Sequence, residues 1–187
     1  MKIKTCVLGD RASGKTTLLS HLDNRLKTVK YVPTLGVDFV VYNKSGLCLH
    51  IWDTSGSERF STIVRTFLRD VSLILIVYNS RRSLEKVDMY IEWVEGLCNR
   101  DYRIILVSLG TDVELECEGQ FKASDHNIPH FTCNALNRSD SLVFWHDLMY
   151  YCTVEIKGKS WILPDMKIEK KEISTNPRNS YRLCWWL

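Results

Sequence analysis

Short runs of apolar, largely β-branched residues recur at 3–8, 73–78 and 104–109, and each is followed by a stretch with helical spacing. The longest, Leu73-Ile-Leu-Ile-Val-Tyr78, is apolar at nearly every position, the pattern of a strand covered on both faces of a parallel sheet. Residues 38–42 and 47–53 flank Asn43-Lys-Ser-Gly46, whose Asn and Gly suit a hairpin turn, so one antiparallel pair is expected at the sheet edge. Helices are expected over 15–24, 83–98 and 141–154, with Ser83 and Asp140 as N-caps. The middle one places Leu84, Val87, Tyr90, Ile91, Val94 and Leu97 on one stripe. Alternating strands and helices define an α/β sheet protein.

Beyond Leu163-Pro164 the periodicity stops and Lys, Glu, Asn, Ser and Pro dominate until Tyr181. The expected organisation is therefore one folded domain over 1–163 and a flexible tail over 164–187. A chain of 187 residues, 45% apolar, is long enough to bury a core without disulfides or a structural metal. Seven cysteines, an odd number with no C-x-x-C pair, fit a reduced intracellular chain. The net charge of +3 comes from scattered basic residues and gives no reason to expect a nucleic-acid partner. No signal peptide is evident, and no apolar run approaches the roughly 18 residues of a membrane span.

Chemistry enters at Gly9-Asp10-Arg11-Ala12-Ser13-Gly14-Lys15-Thr16, which matches G-x-x-x-x-G-K-[ST] between an expected strand and an expected helix. Glycine there lets backbone N–H groups curl around phosphate oxygens, the helix N-terminus adds positive potential, and Lys15 neutralises the terminal phosphates. Thr16 offers a hydroxyl to Mg2+, and Thr17 follows it into the helix. Trp52-Asp53-Thr-Ser-Gly56 ends a strand, where Asp53 can hold Mg2+ through water and Gly56 can offer its N–H to a γ-phosphate.

Four stretches together resemble the small GTPases of the Ras superfamily, its Rab branch in particular. They are Gly9 to Thr16, Tyr31-Val-Pro-Thr34-Leu-Gly36-Val37-Asp-Phe39, Leu49-His-Ile-Trp52-Asp-Thr-Ser-Gly56-Ser57-Glu-Arg-Phe60, and Leu75-Ile-Val-Tyr78. The resemblance runs from Lys2 to about residue 157. It implies a three-layer phosphate-loop fold with a mostly parallel six-stranded sheet and one antiparallel edge strand. It also implies a GTP/GDP switch in vesicle trafficking, in which Thr34 and Gly56 hold the γ-phosphate, Thr16, Thr34 and Asp53 serve Mg2+, and the flanking loops relax when that phosphate is lost. Effector proteins would read Val37, Phe39, Trp52 and Phe67. An exchange factor and an activating protein are the regulators such a switch takes.

The sequence departs from the family pattern in two places. Near the γ-phosphate, Ser57 stands where Gln usually orients the attacking water, and Arg11 replaces a small residue, so slow hydrolysis is expected. The other placement of Arg11 bends it back to stabilise charge on the γ-phosphate in cis. At the base, Leu109-Gly110-Thr111-Asp112 stands for N-K-x-D: Asp112 keeps its acceptor for the guanine edge, while the supporting Asn and Lys are missing. Lys27 falls where an aromatic covers the base, and Thr132-Cys133-Asn134-Ala135 resembles the last guanine motif, with the Ala135 N–H as the base contact. Three missing contacts of about 1 kcal/mol each would weaken binding by about a hundredfold or more, toward micromolar.

Cys184-Trp-Trp-Leu187 fits the C-a-a-X frame, and a terminal Leu favours geranylgeranylation of Cys184 and a lipid-anchored protein on the cytosolic face of membranes. The spacing of Cys117, His126, His130 and Cys133 matches no common zinc pattern. Two functions remain open: a Rab-like switch with weak GTP hydrolysis, or a non-hydrolysing Rab mimic that sequesters effectors or regulators. An ATP-dependent enzyme is disfavoured by Asp112 and by the stretch from Thr34 to Phe39.

Overall fold

The computed structural model describes residues 2–22, 33–44, 46–98 and 101–156. The chain begins with β1 (Lys2–Leu8), α1 (Lys15–Ser20), and the hairpin β2 (Val37–Lys44) and β3 (Leu47–Thr54). A 3-10 turn over Glu58–Phe60 leads into α2 (Ser61–Phe67), then β4 (Leu73–Tyr78), α3 (Arg81–Glu85), α4 (Val87–Leu97) and β5 (Arg103–Leu109). The last elements are α5 (Val113–Asp125), β6 (His130–Cys133) and α6 (Arg138–Tyr151), which runs into a π-helical turn over Cys152–Ile156.

The six strands form one sheet in the order β2-β3-β1-β4-β5-β6. Only β2 runs antiparallel to its neighbour, and it lies at the edge as the hairpin pattern predicts. Alternation along the strands divides the core. Ile3, Val7, Leu73, Leu75 and Val77 face α1 and α6, where they meet Leu18, Phe144, Trp145 and Leu148. Cys6, Leu8, Ile74, Ile76 and Tyr78 face α2, α4 and α5, where they meet Val64, Tyr90, Val94 and Leu115. The sheet is thus the middle of three layers, and the central strand β4 is buried at every position.

Three local expectations are corrected. The single helix expected over 83–98 is two helices that meet at Lys86. Its cap is not Ser83 but Ser80, whose hydroxyl accepts from the Ser83 N–H while Ser83 Oγ accepts from the Ser80 N–H, a reciprocal capping box that starts the helix one turn earlier. The last helix is capped not by Asp140 but by Asn137, whose Oδ1 accepts from the Ser139 and Asp140 N–H groups. In α1 the helix closes at Ser20, and positions 23 and 24 of the expected span lie outside the described residues. No helix among the described residues is long and apolar enough to cross a membrane.

Candidate nucleotide site

The loops after β1, β3, β4, β5 and β6 leave the carboxyl ends of their strands, and the segment bearing Thr34 enters the antiparallel β2 at that same edge, where an α/β sheet opens a crevice. The loop after β1 is tightly shaped. Gly9 has φ +154°, Ala12 φ +60° and Gly14 φ +95°. A Cβ at Gly9 would run into the Val77 carbonyl, so only glycine allows the loop to turn this close to β4. Asn79, just past β4, donates from Nδ2 to the Ala12 carbonyl at 2.9 Å and braces the left-handed residue.

Lys15 opens α1 and folds back under the loop. Its Nζ donates to the Gly9 carbonyl at 2.9 Å, the Asp10 carbonyl at 2.7 Å and Ser13 Oγ at 3.3 Å. Burial lowers its pKa to about 8, against the opposing pull of the Asp53 and Asp10 carboxylates. An ammonium this short of water gains strongly from an arriving phosphate.

Beside it three oxygen-bearing side chains from three segments converge. Thr16 donates to Asp53 Oδ2 at 2.6 Å, and the Thr16 and Thr34 hydroxyl oxygens are 2.9 Å apart. Thr34 also hydrogen-bonds the Asp53 carboxylate, so all three side chains share one network. Asp53 is buried, and its Oδ1 has no hydrogen-bond partner among the described residues. Burial raises its pKa, while the Thr16 hydroxyl and the Lys15 ammonium act against that rise. A carboxylate with an orphaned oxygen beside two hydroxyls is a donor set of hard oxygens, which fits Mg2+.

Ser55 donates its N–H to the Gly36 carbonyl at 2.8 Å, tying the loop after β3 to the start of β2. Gly56 sits directly on the phosphate loop, where a Cβ would collide with Asp10 C and Arg11 N. Ser57 is half-buried with its N–H on Ser55 Oγ at 3.3 Å, and Arg11 is exposed. Thr17 is half-buried on α1 and accepts Ser20 Oγ on its carbonyl.

At the other end of the crevice, Leu109 pairs with Cys133 across β5 and β6, so the loops bearing Asp112 and Ala135 emerge side by side. Asp112 Oδ1 accepts from the Glu114 and Leu115 N–H groups and caps α5. Asn134 Oδ1 accepts from the Leu136 N–H at 3.1 Å. The Ala135 carbonyl is held by His21 Nε2 at 2.8 Å, a bond that joins the end of α1 to the loop after β6. Lys27 lies outside the described residues.

On the hairpin, Phe39 and Trp52 are register partners with ring centroids 4.9 Å apart, and Phe67 of α2 stands 6.4 Å from Trp52. His50 joins them, 5.6 Å from Phe39 at right angles, and Lys4 Nζ lies 5.2 Å from the Trp52 ring. Phe39 is 42% exposed, and Val37 is half-buried at the start of the strand. The structure does not assemble Cys117, His126, His130 and Cys133. His126 bonds Asp88 and His130 bonds Tyr78, and among the described residues no group of three or more His, Cys, Asp or Glu side chains is placed to hold a metal. Sequence reasoning missed Asn79, His21 and Lys86, whose roles come from contacts 67, 114 and 76 residues away in the chain.

A sheet of this order, with a glycine-shaped loop and a buried lysine at its carboxyl edge, defines a phosphate-loop nucleotide-binding α/β protein. The chain belongs to the Ras family, whose model matches residues 4–148, and within it is a Rab-like small GTPase. It is 29% identical over 143 residues to the Ras-related protein Rab-10 of Diplobatis ommata, covering 71% of this chain and 72% of that one. It is 28% identical over 159 residues to the Ras-related protein SEC4 of Candida albicans, covering 79% of this chain and 76% of the relative. A shorter match, 37% over 78 residues, is to the Ras-related protein Rab-7B of Dictyostelium discoideum and covers 41% and 39%.

Proposed function

We propose that this chain is a GTP-binding molecular switch of the Rab type that hydrolyses GTP slowly on the cytosolic face of membranes. The observation that carries the reading is the convergence of Thr16, Thr34 and Asp53 beside the buried Lys15. The backbone from Gly9 to Thr17 cradles the phosphates, and Lys15 exchanges its loop carbonyls for phosphate oxygens. Thr16, Thr34 and Asp53 hold Mg2+, which when bound neutralises charge on the β- and γ-phosphates. Gly56 donates its N–H to the γ-phosphate.

Two side chains slow the turnover. The Ser57 side chain is too short to orient the attacking water as a longer amide would, and the Arg11 side chain competes for the space beside the γ-phosphate. On the base, Asp112 reads the guanine edge with Oδ2 while Oδ1 remains on the helix N-terminus. Asn134 and the Ala135 N–H complete that contact. The aromatic patch of Phe39, Trp52 and Phe67 with Val37 receives effector proteins. The expected domain end at 163, the tail over 164–187 and Cys184 all lie outside the described residues; a prenyl group on Cys184 would supply the membrane attachment of the proposed switch. Cys184→Ser releases the protein from membranes in prenylating cells, and unchanged membrane partition would remove the anchor.

The second reading, a Rab mimic that occupies effectors without cycling, draws on Gly56 resting against the phosphate loop, an arrangement that keeps the second switch seated. Hydrolysis separates the two. Arg11→Ser with Ser57→Gln raises single-turnover GTP hydrolysis by at least about tenfold in the switch, judged by what positioned groups contribute to phosphoryl transfer. No gain in the double variant supports the mimic.

A further inference from the structure

The break between α3 and α4 falls on Lys86, which ends one helix and starts the next. From there its Nζ donates to Asp10 Oδ1 at 3.0 Å and to Glu58 Oε1 at 3.5 Å. Asp10 belongs to the phosphate loop, and its side chain is only 9% exposed. The same Oδ1 accepts the Arg11 N–H at 2.8 Å, and Arg82 Nε approaches Oδ2 at 3.5 Å. Burial acts to raise the Asp10 pKa, but the Lys86 ammonium, the Arg11 N–H and Arg82 outweigh it and hold the carboxyl below its ordinary value. Glu58 follows Ser57 and opens the 3-10 turn of the second switch. One ammonium therefore touches both segments that would flank a γ-phosphate, next to where Gly56 abuts Asp10 and Arg11.

We infer that Lys86 is a positioning residue that latches the second switch to the phosphate loop, keeping Gly56 seated on Asp10 and Arg11 without a γ-phosphate to hold it. The inference rests on the proposed reading of these two segments, but the contact itself requires no nucleotide. Its two arms differ in strength. The Asp10 arm is nearly buried and charge-assisted, whereas the Glu58 carboxylate is 89% exposed and its arm is screened by salt. The latch therefore holds the phosphate loop firmly and the switch loosely.

Amide hydrogen exchange on the full chain without added nucleotide tests this. In Lys86→Met the amides of Arg11, Ala12 and Ser57 to Arg59 exchange about fivefold faster or more, the change expected for losing one charge-assisted contact. Lys86→Arg restores most of the protection, and Glu58→Gln loosens 57–59 while leaving the phosphate loop protected. Exchange at both segments unchanged in Lys86→Met would overturn the inference. So would an increase spread evenly over α3 and α4 that Lys86→Arg fails to rescue. Should Lys86→Met not fold, Glu58→Gln and a salt titration of the wild type decide it: protection at 57–59 must fall in both. Absence of GTP and GDP binding would defeat the switch reading and leave this exchange pattern intact, so the two failures are distinguishable.

Discussion

Leu109 lies over Gly14: a Cβ at Gly14 would come within 3.1 Å of Leu109 Cδ1. Leu109, expected from the sequence to stand where the guanine motif carries Asn, is 6% exposed and packed into the core against the loop at Gly14. The end of β5 and the loop after β1 are thus joined by packing. Leu109→Asn with Gly110→Lys is expected to tighten GDP binding by about tenfold and to widen discrimination against ATP, as two recovered contacts would. Thermal stability falls, because Leu109 leaves the core. Titration with labelled GDP and ATP, beside a melting curve, reads both effects.

The loop over Gly9 to Thr16 and its meeting with Thr34 and Asp53 were legible in the sequence, and much of the bracing around them was not. Gly9 to Thr16, Thr34 and Asp53 lie within short motifs whose spacing encodes their geometry, and the β-branched runs located β1, β4 and β5 because buried parallel strands are apolar throughout. The helix α5 carried no such signal. Its inward residues are Leu115, Gly119 and Ala123, two of them small, while Val113 and Phe121 are exposed at 71% and 74%, so its apolar pattern does not mark its buried face. Gly119 is required there, since a Cβ would overlap the Tyr78 ring. The caps Ser80 and Asn137 lay three residues upstream of the expected ones, Ser83 and Asp140. Ser83 and Asp140 both stand inside the first turn, where a short polar residue carries the same composition signal as a cap.

Asp53 illustrates a conflict between stability and function. A buried carboxylate with an orphaned oxygen costs stability in the absence of Mg2+. Asp53→Asn is expected to leave the melting temperature of the nucleotide-free protein unchanged or higher, while the Mg2+-dependent part of nucleotide affinity falls by at least about tenfold. Thermal shift with and without Mg2+ and GDP makes the comparison. A fall in the nucleotide-free melting temperature would contradict this account of the site.

Gly56→Ala places a methyl group against the backbone at Asp10 and Arg11, so the second switch must move away. Affinity for a non-hydrolysable GTP analogue should drop by about tenfold or more, with GDP affinity nearly unchanged, because the partner proposed for the displaced N–H is the γ-phosphate alone. Equal losses for the two nucleotides would assign Gly56 a merely structural role.

His130 gives an acid limit to stability that does not depend on nucleotide. Burial lowers its pKa from 6.5 to about 4, and its Nε2 is 2.8 Å from the Tyr78 hydroxyl, with the two rings stacked. The unfolded chain binds the proton first on acidification, so the stability tied to neutral His130 is present above pH 6.5 and is lost as pH falls through about 4. Urea unfolding across that window should show the decline, and His130→Gln should flatten it. An unchanged slope in the variant would place the acid sensitivity elsewhere.

The central claim is that the site binds a guanine nucleotide with Mg2+ and turns it over slowly. Purification in Mg2+, denaturation and chromatographic identification of the released nucleotide, followed by titration with labelled GTP, GDP and ATP, tests it most directly. The account predicts guanine nucleotide in the released fraction with GTP well represented, and micromolar or tighter binding of GTP and GDP over ATP. Release of no guanine nucleotide, with no saturable binding on titration, would contradict it.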